Sequence, residues 1–306
     1  MEISVVIPVY NKKDYIARCL EQILAQDFPS FEVIAVDDGS TDGSGEICDR
    51  IAQGDSRLRV IHTENGGVTA ARRRGVEESC GKYIIFSDAD DEYLLGAFSV
   101  MHKAIEDSGA DEVICVSRTQ SGQALDSGRR GWQPVKPLVI DLLSMHNSFC
   151  VLWAIIFRRE LLTGCLDMSR DIVSSEDILM QINCLMKHPK VYFIGDEVYR
   201  YNVGVPNERR SGLQTIQAFD EELKQTLQPE WDTYADFFLL NCIKHYESFI
   251  CNRQFHVFDT YYKAFRKEDL SRLPIADRIA FMLPPKIAFI PIWVRKRLIR
   301  SSHQLH

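Results

Sequence analysis

Apolar and polar positions along the first half of the chain alternate between two periods. SVVIP is a continuous apolar run of strand length, and Tyr15, Ile16, Cys19, Leu20, Ile23 and Leu24 then recur at helical spacing. FEVIAVDD reads as a second strand. GSTDGS is a turn in which Thr41 or Asp42 can cap the helix that follows. LRVIH is a third strand, ENGG a loop, VTAARRRGVEES a helix ending near Gly81, and KYIIFSD a fourth strand. A helix to about Asp107 and the strand DEVICVS come next. Strands separated by helical patterns predict an α/β fold, a mainly parallel sheet with helices on both faces.

The rhythm then changes. Thr119 to Pro137 is polar and rich in Gly and Pro, and reads as a long loop. VLWAIIFRRELL resumes as strand then helix, SSEDILMQINCLMK as a Ser-capped helix, and VYFIG and EVYRYNV as two short strands. After VPNERRSG the pattern is helical to the end, which predicts a first domain over 1–210 and a helical C-terminal region over 211–306.

Composition narrows the class. The 306 residues are 45% hydrophobic and 26% charged with a net charge of −7, so a global attraction to nucleic acid is not expected. Nine unclustered cysteines read as buried thiols of a reducing compartment. The start lacks a basic segment followed by a long apolar one, and no run reaches the roughly 18–20 apolar residues of a membrane span. A cytoplasmic protein is expected. Oligomeric state is not readable.

In an open parallel sheet, ligands bind beyond the carboxyl ends of the strands. There the first strand ends in Val9, Tyr10 and Asn11, the second in Asp37 and Asp38, and the fourth in Asp88, Ala89, Asp90 and Asp91. The turn PVYNKKDY has no glycine, which disfavours a dinucleotide fold, and a Walker sequence is absent. Two carboxylates completed by substrate phosphates and water suit Mg²⁺ or Mn²⁺. Asp88 and Asp90, two apart, point the same way if the strand continues. The competing reading is a solvated acidic turn, with Glu92 as a first-turn helix acid. Glu176 and Asp177, by composition alone, are first-turn carboxylates behind a serine cap.

Taken in order, VVIPVYNKKDYI, FEVIAVDDGSTDGS, NGGVTAARRRG, GKYIIFSDADDEY and SSEDILMQ resemble the inverting nucleotide-sugar glycosyltransferases of family two over about residues 3 to 202. The resemblance implies a GT-A fold, a UDP-sugar donor and a glycan or lipid-linked acceptor. It implies that Pro8, Val9 and Tyr10 wall the base pocket and that Asp38 accepts the N3 hydrogen of uracil. Arg72 would reach the base or diphosphate, Asp88 the ribose or metal, and Asp90 the metal directly. Asp91 would support the loop, Glu176 would belong to the substrate-binding set, and Asp177 would be the general base. Arg73 and Arg74 read as solvated helix charges, while Gly66 and Gly67 would let their loop pass close to the ligand. Relatives often carry Trp-x-Lys where this chain has Trp153-Ala154-Ile155, so Trp153 stands either as an acceptor-side ring or as a core residue. Arg209 and Arg210 either close over the diphosphate or belong to a solvated linker. A nucleotidyltransferase acting on sugar phosphates and a silent nucleotide-sugar-binding subunit are the competing classes.

The tail KIAFIPIWVRKRLIR, residues 286–300, carries five basic residues and no acid among apolar and Trp side chains. It fits either an anionic membrane surface or a helix docked with its charges outward. Pro291 is expected to interrupt any continuous helix there.

Overall fold

The computed structural model describes residues 1–145, 149, 151–203 and 212–303, with the backbone alone at 296 and 298–303. Its chain divides into two compact units, Met1–Val139 with Asn147–Ser211, and Ile140–His146 with Gly212–His306. The expected boundary at residue 210, and with it Arg209 and Arg210, lies outside the described residues.

The first unit is a mixed α/β sheet. Its elements are β1 (Ile3–Val9), α1 (Ile16–Leu24), β2 (Phe31–Asp37), α2 (Ser44–Ala52), β3 (Leu58–His62), α3 (Val68–Glu77) and β4 (Tyr83–Phe86). Then come β5 (Glu92–Tyr93), α4 (Ala97–Ser108), β6 (Glu112–Thr119), β7 (Ala124–Leu125), β8 (Gly131–Gln133), α5 (Val135–Leu143, which passes into the second unit at Ile140), β9 (Ile155–Arg158), α6 (Glu176–Leu185) and β10 (Val191–Tyr201). The strand order is β3-β2-β1-β4-β9-β6-β10-β5, with β7 on β6 and β8 on β10. β1 to β4 pair in parallel, and β9 runs against both β4 and β6.

Period-two alternation explains the two covered faces. Phe31, Val33 and Ala35 of β2 join Ile16, Leu20 and Ile23 of α1 and Phe98 and Met101 of α4 in one core. Ile34 and Val36 pack with Ala71 of α3 in another. Gly75 lets α3 lie close to β1, since a Cβ there would come within 2.3 Å of Val6.

Several expectations change. Thr119 to Pro137 is not one long loop, because its polar alternation forms edge strands on β6 and β10 and α5 begins at Val135. Pro137 fits the first turn of α5, where backbone N–H groups lack intrahelical acceptors anyway. VYFIG and EVYRYNV form one strand, β10, with register shifts on β6. Glu92 is not a helix acid: pairing with Arg200 holds it in β5, and Arg18 supplies its counter-charge. Neither serine nor threonine caps as expected. Gly43 and Ser175 are the residues before α2 and α6, both left-handed, while Asp42, the expected alternative to Thr41, does meet the first N–H of α2, accepting from Ser44 N at 3.0 Å and Ser44 Oγ at 2.5 Å.

Glu112 of β6 is fully buried and accepts a hydrogen bond from Gln181 of α6. Burial pushes its carboxyl up to about 8, against the opposing effect of that hydrogen bond. Glu112 Oε2 and Gln181 Oε1 have no partner among the described residues, and a proton held on Glu112 is the donor both lack. The folded protein therefore keeps a proton that the unfolded chain releases near pH 4.5. This stabilising contribution is complete below that pH and is lost as pH rises toward 8. Glu112→Gln is expected to flatten the fall in Tm between about pH 5 and 8, a difference of a few kcal/mol. Equal slopes for variant and wild type would contradict it.

The second unit holds α7 (Leu213–Leu227), α8 (Trp231–Cys251), α9 (Val257–Thr260), α10 (Ile275–Met282) and α11 (Pro285–His303). Tyr246 of α8 packs against Phe258, Tyr262 and Phe281. Buried Glu247 and Asp277 are matched by Lys244 and Arg295. α11 continues through Pro291, contrary to expectation. Proline removes one donor to the carbonyl of Ile287, and both residues lie on the exposed side, where water can meet that carbonyl. Arg295 also turns inward, so the tail is not simply a helix with its charges outward. No helix among the described residues is long and apolar enough to cross a membrane.

Candidate active site

The ends of β1 and β2 are tied together by main-chain and side-chain bonds. Asp38 N donates to Val9 O at 2.8 Å, Asn11 N to Ser40 Oγ at 3.1 Å, and Thr41 N to Asn11 Oδ1 at 2.9 Å. Asn11 adopts a left-handed φ of 51°, which an asparagine tolerates better than most residues and which turns the chain sharply off the strand. Pro8 is half-buried, whereas Val9 is fully buried with its carbonyl taken by Asp38 N, so of the residues expected to wall the base pocket Val9 shows no accessible surface. Tyr10 is 47% exposed and is therefore not a core ring.

Asp38 is buried with its two oxygens accepting from Gly66 N at 2.7 Å and Gly67 N at 2.8 Å. The two glycines thus bring their loop against a carboxylate whose Oδ1 also accepts from Thr63 Oγ1 at 3.4 Å, which leaves the further acceptor site on Oδ2.

Beyond β4 the acids have unequal surroundings. Asp91 is buried and accepts from Tyr199 Oη at 3.0 Å and Asn202 N at 2.7 Å. Burial, then Asp88 and Asp90, push its carboxyl up to about 8, while those two hydrogen bonds pull the other way. It supports the loop. Asp88 and Asp90 are each met by a cation: Arg72 Nη2 lies 3.1 Å from Asp88 Oδ1, and Lys12 Nζ 2.5 Å from Asp90 Oδ2.

Arg72, on the face of α3 toward the sheet, is buried. Its Nη1 lies 2.6 Å from Asp177 Oδ1 and 3.9 Å from Glu176 Oε1. Burial alone would lower its pKa, but Asp177, Asp88 and Glu176 together raise it. The left-handed Ser175 starts α6 so that Glu176 is buried while Asp177 stays a quarter exposed. One guanidinium therefore joins two acidic motifs that are far apart in sequence. Arg73 and Arg74 form exposed ion pairs with Asp167 and Glu78.

Trp153 is buried and stacks on Tyr199 at 5.0 Å and on Tyr201 at 5.1 Å. Tyr201 is 36% exposed, and burial first, then the charges of Asp91, Asp88, Asp90 and Asp177, raise its hydroxyl pKa. Lys12, Tyr199, Tyr201 and Asn202 were not foreseen. Lys12 is one of two lysines in NKKDY, with nothing in the sequence to mark it out. The tyrosines share a face of β10 by their two-residue spacing, and that alternation is the one signal available.

The acids fit a divalent cation. Asp88 and Asp90 are hard oxygen donors to Mg²⁺ or Mn²⁺, and Lys12 Nζ on Asp90 shows that a positive charge is accepted there. A closer His/Glu cluster, Glu2, His102 and Glu106, lies at the opposite end of the strands, where Lys82 already pairs with Glu106. A hollow of about 430 Å³ between α3 and the turn at Arg159–Leu162, lined by Arg73, Glu77, Arg159 and Asp167, contains none of the site residues above.

The family model described as Glycosyl transferase family 2 matches residues 4–164. The chain is 29% identical over 269 residues to the uncharacterized glycosyltransferase EpsJ of Bacillus subtilis (strain 168), covering 82% of this chain and 75% of that protein. It is 43% identical over 113 residues to the glycosyltransferase GlyG of Streptococcus pneumoniae serotype 4, where the match covers 37% of this chain and 38% of GlyG. Among solved structures, S. aureus TarS 1-349 has a like fold, with a TM-score of 0.64 at 17% identity over 95% of this chain and 81% of that one. TarS 1-349 is also known in complex with UDP-GlcNAc, with a TM-score of 0.57 at 19% identity and the same coverage. The mannosyltransferase PcManGT of Pyrobaculum calidifontis, solved with GDP-Man and Mn²⁺, has a TM-score of 0.53 at 17% identity over 96% of this chain and 86% of that one. The mixed sheet is thus of GT-A type.

Proposed function

The chain belongs to glycosyl transferase family 2, a family of nucleotide-sugar glycosyltransferases, and from that premise we propose that it is an inverting, metal-dependent enzyme. It moves a sugar from a UDP-sugar to a hydroxyl of a glycan or lipid-linked acceptor. The observation that carries this reading is the bridge from Asp88 through Arg72 to Asp177. It sets a phosphate-side acid and a partly exposed carboxylate in one crevice.

The exposed ring of Tyr10 is suited to stack on the base, and the remaining acceptor site on Asp38 Oδ2 to take the imide N–H. Asp177 takes the proton of the acceptor hydroxyl. The acceptor oxygen forms its bond to the anomeric carbon as the bond to the diphosphate breaks, and UDP leaves with the electron pair. Attack from the face opposite the leaving group inverts the centre. Mn²⁺ or Mg²⁺, held by Asp88 and Asp90, supplies compensation for the diphosphate charge when bound. Arg72 and Lys12 offset the charge of the acids beforehand and stand ready for phosphate oxygens. Tyr201, rather than the buried Trp153, offers the acceptor a ring. The solved complexes of TarS with UDP-GlcNAc and of PcManGT with GDP-Man and Mn²⁺ support a nucleotide-sugar donor and a divalent ion. A lipid-linked acceptor would be met at an anionic membrane surface, the setting that suits residues 286–300.

A thermal-shift panel of UDP- and GDP-sugars with and without Mn²⁺ tests the donor, because a ligand that binds only the folded state raises Tm. UDP-sugars are expected to stabilise more with Mn²⁺, and Asp90→Asn to remove the Mn²⁺-dependent part. Unchanged Mn²⁺-dependent UDP affinity in that variant, measured by calorimetry, would sink the metal assignment.

A further inference from the structure

The second unit carries an apolar surface that no described element covers. Ile275, Ile279 and Met282 of α10, and Ile287, Ile290, Trp293 and Val294 of α11, are all between 42% and 67% exposed. Single exposed apolar residues need no explanation, but seven within twenty positions do.

Helical spacing shows how the surface is built. On α11, Ala288, Ile292 and Arg295 (i, i+4, i+7) face inward, the first two buried and the arginine paired with Glu247 and Asp277. Ile287, Ile290 and Val294 (i, i+3, i+7) form an opposite apolar stripe. Lys286, Trp293 and Arg297 (i, i+7, i+11) run along its edge, with the Arg297 guanidinium 4.9 Å above the Trp293 ring. On α10, Asp277, Ala280 and Phe281 face inward, while Ile275, Ile279 and Met282 (i, i+4, i+7) face out. Arg295 and Asp277 bond to each other and to Glu247 and Lys244 of α8, so the inward faces of both helices meet the same stretch of α8 and their outward faces turn away from it.

Charge selects the occupant. From Arg278 to the C-terminus the chain has six Lys and Arg residues, of which Arg295 is spent on Glu247 and Asp277, and no Asp or Glu, within a chain of net charge −7. A second copy pairing face to face would set like charges against each other. Nucleic acid offers nothing to a central apolar stripe. An apolar stripe with an amphipathic Trp and basic residues at its edge matches the interface of an anionic bilayer.

We propose that the outward face of α10 and α11 lies in the headgroup region of an anionic lipid bilayer, with Ile279, Ile287, Ile290 and Val294 dipping toward the acyl chains. The proposal rests on the second unit alone and not on the transferase reading. Vesicle binding is measured without donor or metal, so its failure leaves that reading untouched.

The test is vesicle flotation of the full chain, using phosphatidylcholine with or without about 30% phosphatidylglycerol, at about 0.1 M and 0.5 M salt. Binding to the anionic vesicles, weakened by salt, is expected. Ile287→Asp/Ile290→Asp is expected to lower partitioning about tenfold or more. Lys286→Glu/Arg297→Glu should remove the preference for phosphatidylglycerol. All four positions are exposed, so circular dichroism and Tm should stay those of the wild type. Unchanged partitioning of the folded Ile287→Asp/Ile290→Asp protein overturns the proposal. So does a wild type that ignores both vesicle types, including one that forms a dimer split by the same two substitutions.

Discussion

Asp177→Asn is expected to keep UDP-sugar binding and to cut turnover about 10²-fold or more, the usual range for loss of a general base. The geometry makes this a clean substitution. Asp177 Oδ1 is the atom 2.6 Å from Arg72 Nη1, and an asparagine oxygen can still accept that hydrogen bond, so the start of α6 should keep its place. What disappears is the ability to take a proton. Arg72 remains paired with Asp88, which keeps the phosphate side of the crevice in order. Donor affinity by calorimetry and single-turnover rates separate the two halves of the prediction. Turnover like that of the wild type removes Asp177 from the mechanism. Lost donor affinity with an unchanged chemical step would make it a binding residue.

The second large effect falls on Arg72. Its substitution by Met keeps the apolar length of the side chain but leaves Asp177, Asp88 and Glu176 without their common counter-charge. Removing one partner of a buried ion pair costs roughly 3–5 kcal/mol. Asp88 and Asp177 are about 31% and 25% exposed and can be partly rehydrated, so the low end of that range is expected. Tm should fall by several degrees. Activity should fall further than the loss of folded protein explains, because the base and the phosphate-side acid lose their shared anchor. Arg72→Lys should recover part of the stability, since one ammonium still offsets charge. It should recover little turnover, since a point charge cannot span two carboxylates as the planar fork does. Equal turnover for Lys and Arg would show that charge alone matters. A Met variant with unchanged Tm and turnover would show that the bridge is incidental.

The strands and helices that carry this chemistry were legible because each has one strong periodic signal. SVVIP, FEVIAV and KYIIF are apolar runs ending in polar clusters, and helix spacing in Tyr15–Leu24 is regular. The convergence of Asp38 and Asp88–Asp91 follows from parallel strands, which place like ends together. What escaped notice depends on partners far along the chain. β5, β7 and β8 are two or three residues long and exist only because β6 and β10 offer them edges. The antiparallel course of β9 is set by the gap between β4 and β6, which no local pattern records. Ser175 was expected to cap α6 by its hydroxyl, yet the structure uses its left-handed backbone instead. Lys12 could not be told from Lys13 by spacing, while Arg72 was found only through the family motif. Its burial between acids from three segments is a tertiary fact.

The placement of β9 also sets an order in which the chain can assemble. Strands β1 to β4 pair with one another and can form once residues up to Phe86 are available. β6 has no bond to β4 and must wait for Ile155–Arg158 to enter between them. During synthesis, a four-stranded half-sheet with its Asp38 and Asp88 ends can therefore exist well before Asp177 leaves the ribosome. Non-local closure of this kind is slow, and it exposes the edge of β4 in the interval. Chains stalled far enough past Phe86, or far enough past Arg158, for those strands to clear the ribosome should differ accordingly. Protease protection should cover β1 to β4 in the first and spread to β6 only in the second.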